Sequence, residues 1–137
     1  MNFFTNELKK IVRGCETIHQ PKFVGRECVV RLTDDITVKL SFDTQGYADH
    51  YSALKIRLIN RHEGQIDLQI LRFGELWGND INGISPHAWT YRGETDWYSS
   101  APAPEQYQLL SAEIDDYLSC FTDLEQEETE NMNLNLS

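Results

Sequence analysis

At 137 residues, 40% hydrophobic and 25% charged, the chain has the length and composition of one globular domain with a core of its own. A formal net charge of −10 opposes direct binding to phosphate backbones or anionic lipid, which need basic patches, and favours a basic protein as partner. No run approaches the roughly 18 apolar residues of a membrane span, and MNFFTNELKK shows no basic stretch followed by an apolar one, so a cytoplasmic location is expected.

The first segment predicts a helix. Phe4, Leu8, Ile11 and Val12 recur at i, i+4, i+7 and i+8 and make one apolar stripe, with Gly14 as the stop. Two strands follow. In ECVVRL, Cys28, Val30 and Leu32 share a face; in ITVKLSFD, Ile36, Val38, Leu40 and Phe42 alternate with polar neighbours. Parity selects the turn. A three-residue loop Thr33-Asp34-Asp35 sets Leu32 opposite Ile36 and Val30 opposite Val38, whereas a two-residue loop would put the apolar sets on opposite faces.

The same reasoning applied to YSALKIRLIN and QIDLQILRF predicts a loop His62-Glu63-Gly64. Leu58 then meets Leu68 and Ile56 meets Ile70, with Ile59 and Leu71 on the reverse face. FGELWGNDINGISP is a Gly- and Asn-rich break in which Phe73, Leu76 and Trp77 mark residues that pack down. AWTY and TDWYS read as a third hairpin with two candidate registers. A two-residue Gly93-Glu94 turn separates Trp89 from Trp97; a three-residue loop Arg92-Gly93-Glu94 stacks them.

From Pro104 onward, Tyr107, Leu110, Ile114, Tyr117, Leu118 and Phe121 form the strongest helical stripe, with Glu105, Glu113, Asp115 and Asp116 on the wet side. The elements predict an α+β fold: an antiparallel meander sheet of about six strands, built from three sequential hairpins, with the N- and C-terminal helices packed on one face. Residues 1–121 form the domain. Residues 122–137, with five acidic residues and no Lys or Arg, read as an acidic, disordered tail.

Chemistry-bearing motifs are sparse. Cys15, Cys28 and Cys120 are too few and too scattered for a disulfide framework and read as buried thiols. His19, His50, His62 and His87 show no metal-ligand spacing beyond the isolated pair Cys15 and His19, so neither a metal site nor a cofactor is expected. Ser85, His87, Glu94 and Asp96 are close in sequence but carry no nucleophile motif, and the reading favours a protein without enzymatic activity. Residues 84–107 hold three tyrosines, two tryptophans and one histidine. Such a concentration serves either as cross-strand packing or as an interface, where Trp, Tyr and Arg are the usual anchors.

The segments FFTNELKK, FVGR, VRL, LRFGELWG and ISPHAWTYRGETDWY resemble small acidic proteins of unknown function encoded in Gram-positive bacteria and their mobile elements. The resemblance implies a compact cytoplasmic α+β protein without an enzymatic role. The expectation is therefore a protein that binds a basic partner through an acidic and aromatic surface, as an inhibitor, immunity or anti-defence protein would. His87, Trp89, Tyr91, Arg92, Trp97 and Tyr98 are its candidate contact residues. The alternative is a small-molecule or catalytic pocket around His87, Trp89 and Tyr91. A homodimer through Ile59 and Leu71 on the reverse face of the sheet is the third reading.

Overall fold

A computed structural model describes the backbone of residues 3–44, 50–77, 89–92, 96–97 and 101–136, and their side chains except at His50, Tyr91, Arg92, Asp96 and residues 123–136. The elements in chain order are α1 (Phe3–Val12), β1 (Lys22–Val24), β2 (Glu27–Arg31), β3 (Ile36–Asp43), β4 (His50–Tyr51), β5 (Ala53–Asn60), β6 (Gly64–Arg72), α2 (Phe73–Trp77), β7 (Tyr91–Arg92), β8 (Asp96–Trp97) and α3 (Pro104–Leu136).

The fold is α+β, with a five-stranded antiparallel sheet in the order β1-β2-β3-β5-β6 and a three-stranded ribbon β4-β7-β8. The expected sheet of about six strands is thus corrected in two ways. Strand β1 adds an edge that three residues are too few to announce by alternation. It joins β2 through a turn in which Gly25 has φ 60°. The last hairpin leaves the main sheet and pairs with the two-residue β4.

The first hairpin has the register that parity predicts: Val30 faces Val38, and Leu32 N–H donates to Ile36 C=O at 2.9 Å. Thr33 Oγ1 accepts from the Asp35 and Ile36 amides and closes the turn. The second hairpin departs from expectation. Its loop is Arg61-His62-Glu63, with Gly64 at φ 83° and Asn60 Oδ1 accepting from the His62 and Glu63 amides.

Ile59 then faces Gln65, but Leu58 faces Asp67, so Ile66 is a bulge residue. One extra residue inverts the parity of everything after it. Leu68 and Ile70 pair with Arg57 and Lys55 instead of Leu58 and Ile56, while Leu71 pairs with Leu54. Leu71 is accordingly buried rather than on the reverse face, and Ile66, Leu68 and Ile70 are exposed at 38%, 42% and 36%.

Both terminal helices cover one face of the sheet. Phe4, Leu8 and Ile11 of α1, and Leu110, Ile114 and Leu118 of α3, close over Cys28, Val30, Val38, Leu40, Ile56 and Leu58. The helices also meet each other. Ser111 Oγ donates to Ile11 C=O at 2.6 Å, and a Cβ on Gly14 would lie 2.9 Å from Ser111 Oγ, so glycine is what lets the end of α1 approach α3. Asp115, expected on the wet side, accepts from the Glu16 and Thr17 amides at 2.8 and 3.0 Å and holds the segment after α1. The backbone of α3 stays helical through the acidic stretch to Leu136, where composition predicts disorder. Glu, Gln, Leu and Met are good helix formers, and they continue a helix already nucleated by packing.

Candidate functional site

The expected aromatic surface divides between core and undescribed residues. His87 and Tyr98 lie outside the described residues, and Tyr91 and Arg92 are described in their backbone alone. Tyr91 stands opposite Trp97 and Arg92 opposite Asp96, so neither predicted register holds; residues 93–95 connect the strands. Trp89 is buried at 9% exposure, edge-on to Trp77 at 5.2 Å, and its Nε1 has no hydrogen-bond partner among the described residues. Trp97 is half-buried against Phe73 at 5.8 Å. Phe73 stacks on Trp77 at 4.9 Å, and Trp77 Nε1 donates to Gln106 C=O at 3.1 Å, tying α2 to α3. These rings close the end of the core.

The titratable groups inside the fold are likewise structural. Glu7 is buried between α1 and α3, where its carboxylate accepts from the Tyr107 hydroxyl and pairs with Lys10 Nζ at 3.0 Å. Tyr117 donates to Asp67 in the same manner. Burial, then the neighbouring carboxylate, pushes both phenols well above their ordinary range. Cys15 is raised to about 12 by burial and then by Asp115, and Cys28 to about 11 by burial. Cys120 is exposed, against expectation. Among the described residues no group of three or more His, Cys, Asp or Glu side chains is placed to hold a metal ion, and no helix is long and apolar enough to cross a membrane. An open groove of about 420 Å³ runs past Lys9, Arg13, Pro21 and Phe23, with the Lys9 ammonium 5.4 Å from the Phe23 ring centre.

The most unusual surface is the sheet face that the helices leave open. Register fixes its membership. One row runs Lys22, Val29, Lys39, Arg57, Leu68 across all five strands; the next runs Val24, Glu27, Ser41, Lys55, Ile70. Arg31 and Arg72 lie on the same face at its two ends. Six of the 12 basic residues are therefore here, beside Glu27 and Asp43 among the described strand residues, and Glu75 of α2 pairs with Arg72 at 3.1 Å.

Lys39 stands directly opposite Arg57, a like-charge cross-strand pair that works against the sheet. Arg57 Nε donates to Gln65 at 3.0 Å and reaches Glu27 only at 4.0 Å. Lys22, Lys39 and Lys55 make no ion pair among the described residues. Beside these cations, Val24 is 65% exposed on the β1 edge of the sheet, and Ile66, Leu68 and Ile70 are exposed on the opposite, β6 edge.

Sequence reasoning misses this surface because a cation in an alternating strand reads as an ordinary wet side. Only the strand order and the bulge set the cations and the aliphatics Leu68 and Ile70 on one face. Compared with protein-family models, curated proteins and solved structures, the chain has no match.

Proposed function

We propose that the protein is a non-enzymatic binding protein whose contact surface is the open face of the five-stranded sheet. The observation that carries this reading is the collection of half the chain's Lys and Arg residues, with exposed Val24, Leu68 and Ile70, on one face of a molecule whose net charge is −10. Like charges set opposite each other cost stability, and an exposed aliphatic stripe costs solubility. Both costs are offset when an acidic, partly apolar partner covers the face.

The chemistry of the patch favours protein over nucleic acid. The rows carry no aromatic side chain on which a base could stack, and the acidic remainder of the molecule repels a long polyphosphate. A second reading keeps the basic partner expected from composition. With a net charge of −10 on the chain, the surface outside the open face can steer a basic protein toward itself.

Paired capture distinguishes the two. Wild type and a Lys39→Glu/Lys55→Glu variant serve as baits in native extract at low ionic strength, followed by a salt wash. A stoichiometric acidic partner that the variant loses supports the open face. A basic partner retained by both baits supports the second reading and removes the first.

A further inference from the structure

The occupant of the basic face can be narrowed, on the premise that this face is the contact surface. We infer that it receives the acidic C-terminal helical segment of a second copy of this chain, residues 122–136, in a reciprocal two-fold exchange. Charge complementarity is the first support. Asp123, Glu125, Glu127, Glu128 and Glu130 are uninterrupted by any Lys or Arg, and among the described residues the face they would meet carries six cations against Glu27, Asp43 and the Glu75 that pairs with Arg72. At helical spacing Leu134 recurs on the side of Asp123, Glu127 and Glu130, an apolar neighbour suited to the edge formed by Leu68 and Ile70.

Geometry makes the contact one between copies. Leu110, Ile114 and Leu118 bury α3 on the covered side of the sheet, and the helix continues unbroken to Leu136. A continuous helix carries its own acidic end along the covered side and cannot turn it round to the opposite face. A second copy meets no such constraint. Dimensions agree as well: fifteen helical residues span about 22 Å at a rise of 1.5 Å. The eight-residue strands β3 and β5 are about 26 Å long at 3.3 Å per residue. In the exchange each copy contributes its tail and about a dozen face residues, within the roughly 20–30 a side of a stable interface.

Sedimentation velocity of the full chain, at low and at high ionic strength, tests this with two charge-reversed variants. One carries Lys39→Glu and Lys55→Glu; the other carries Glu127→Lys and Glu130→Lys. Wild type is expected to dimerise and to dissociate as salt is raised. Each variant alone should weaken the dimer about ten- to a hundredfold, the loss expected for breaking close charge pairs. Mixing the two should restore a heterodimer, because each reversed surface then meets a complementary one. A wild type that stays monomeric at high concentration and low salt overturns the inference, as does a dimer indifferent to both variants. If that monomer still loses a captured acidic partner when the face is reversed, the binding surface stands and only its occupant was misassigned. If the face variant captures everything wild type does, the surface itself is wrong.

Discussion

The two faces of the five-stranded sheet are made from the same strands and obey opposite rules. On the covered face, Cys28, Val38, Leu40, Ile56 and Leu58 are at 0% exposure, and the phenols beside them are matched, Tyr107 to Glu7 and Tyr117 to Asp67, with Trp89 Nε1 at the end of the core left without a partner among the described residues. On the open face, Lys39 confronts Arg57, and Leu68 and Ile70 stand in solvent. One face is optimised for folding. The other carries features that cost stability in the isolated chain, which is what the proposed contact surface would entail.

Substitutions on the two faces should differ in size and in sign. The largest effect belongs to Phe73→Ala, which removes the ring shared by Phe42, Trp77 and Trp97 and should cost about 3–5 kcal/mol in denaturant unfolding. Next comes Asp115→Ala. Losing its bonds to the Glu16 and Thr17 amides should lower stability by about 1–3 kcal/mol. A loss below a few tenths would show that the segment after α1 does not depend on this carboxylate.

Alkaline titration reports on the covered face without mutation. Cys15 and Cys28 ionise in the unfolded chain near their ordinary 9.0 but in the folded protein only near 12 and 11. The unfolded state therefore binds fewer protons above pH 9, and stability should fall from there toward pH 11–12, having been fully present below. In thiol labelling of the native protein, exposed Cys120 should react first and the two buried thiols only on unfolding. A flat stability profile above pH 9 would contradict the burial of Cys15 and Cys28.

The smallest effect is the most telling. Lys39→Glu should leave stability unchanged or raise it by about 0.2–1 kcal/mol, because it turns a repulsive cross-strand pair with Arg57 into an attractive one. A clear destabilisation would mean that Lys39 has a structural role and would weaken the case for an interface.

Much of this was legible in the chain. The stripes of α1 and α3 were visible because helical period leaves a mark that does not depend on neighbours. The first hairpin was legible because Thr33-Asp34-Asp35 admits only one loop length compatible with two apolar faces. The second was not. The loop before Gly64 leaves Leu58 facing Ile66 by simple counting, and one bulge residue moves Leu68 and Ile70 to the other side. The aromatic stretch misled for a related reason: composition says that Trp89 and Trp97 are large and amphipathic, not which side of them is covered.

The covered helical stripes, the long strands, the class of the fold and the net charge follow from local period or from a count and needed no tertiary structure. Tertiary structure decided where the charge is placed and which aliphatics are exposed. Those depend on strand order and on the bulge at Ile66, and register is settled by what packs across the sheet, such as Leu71 against Leu54 and Asp67 beneath Tyr117.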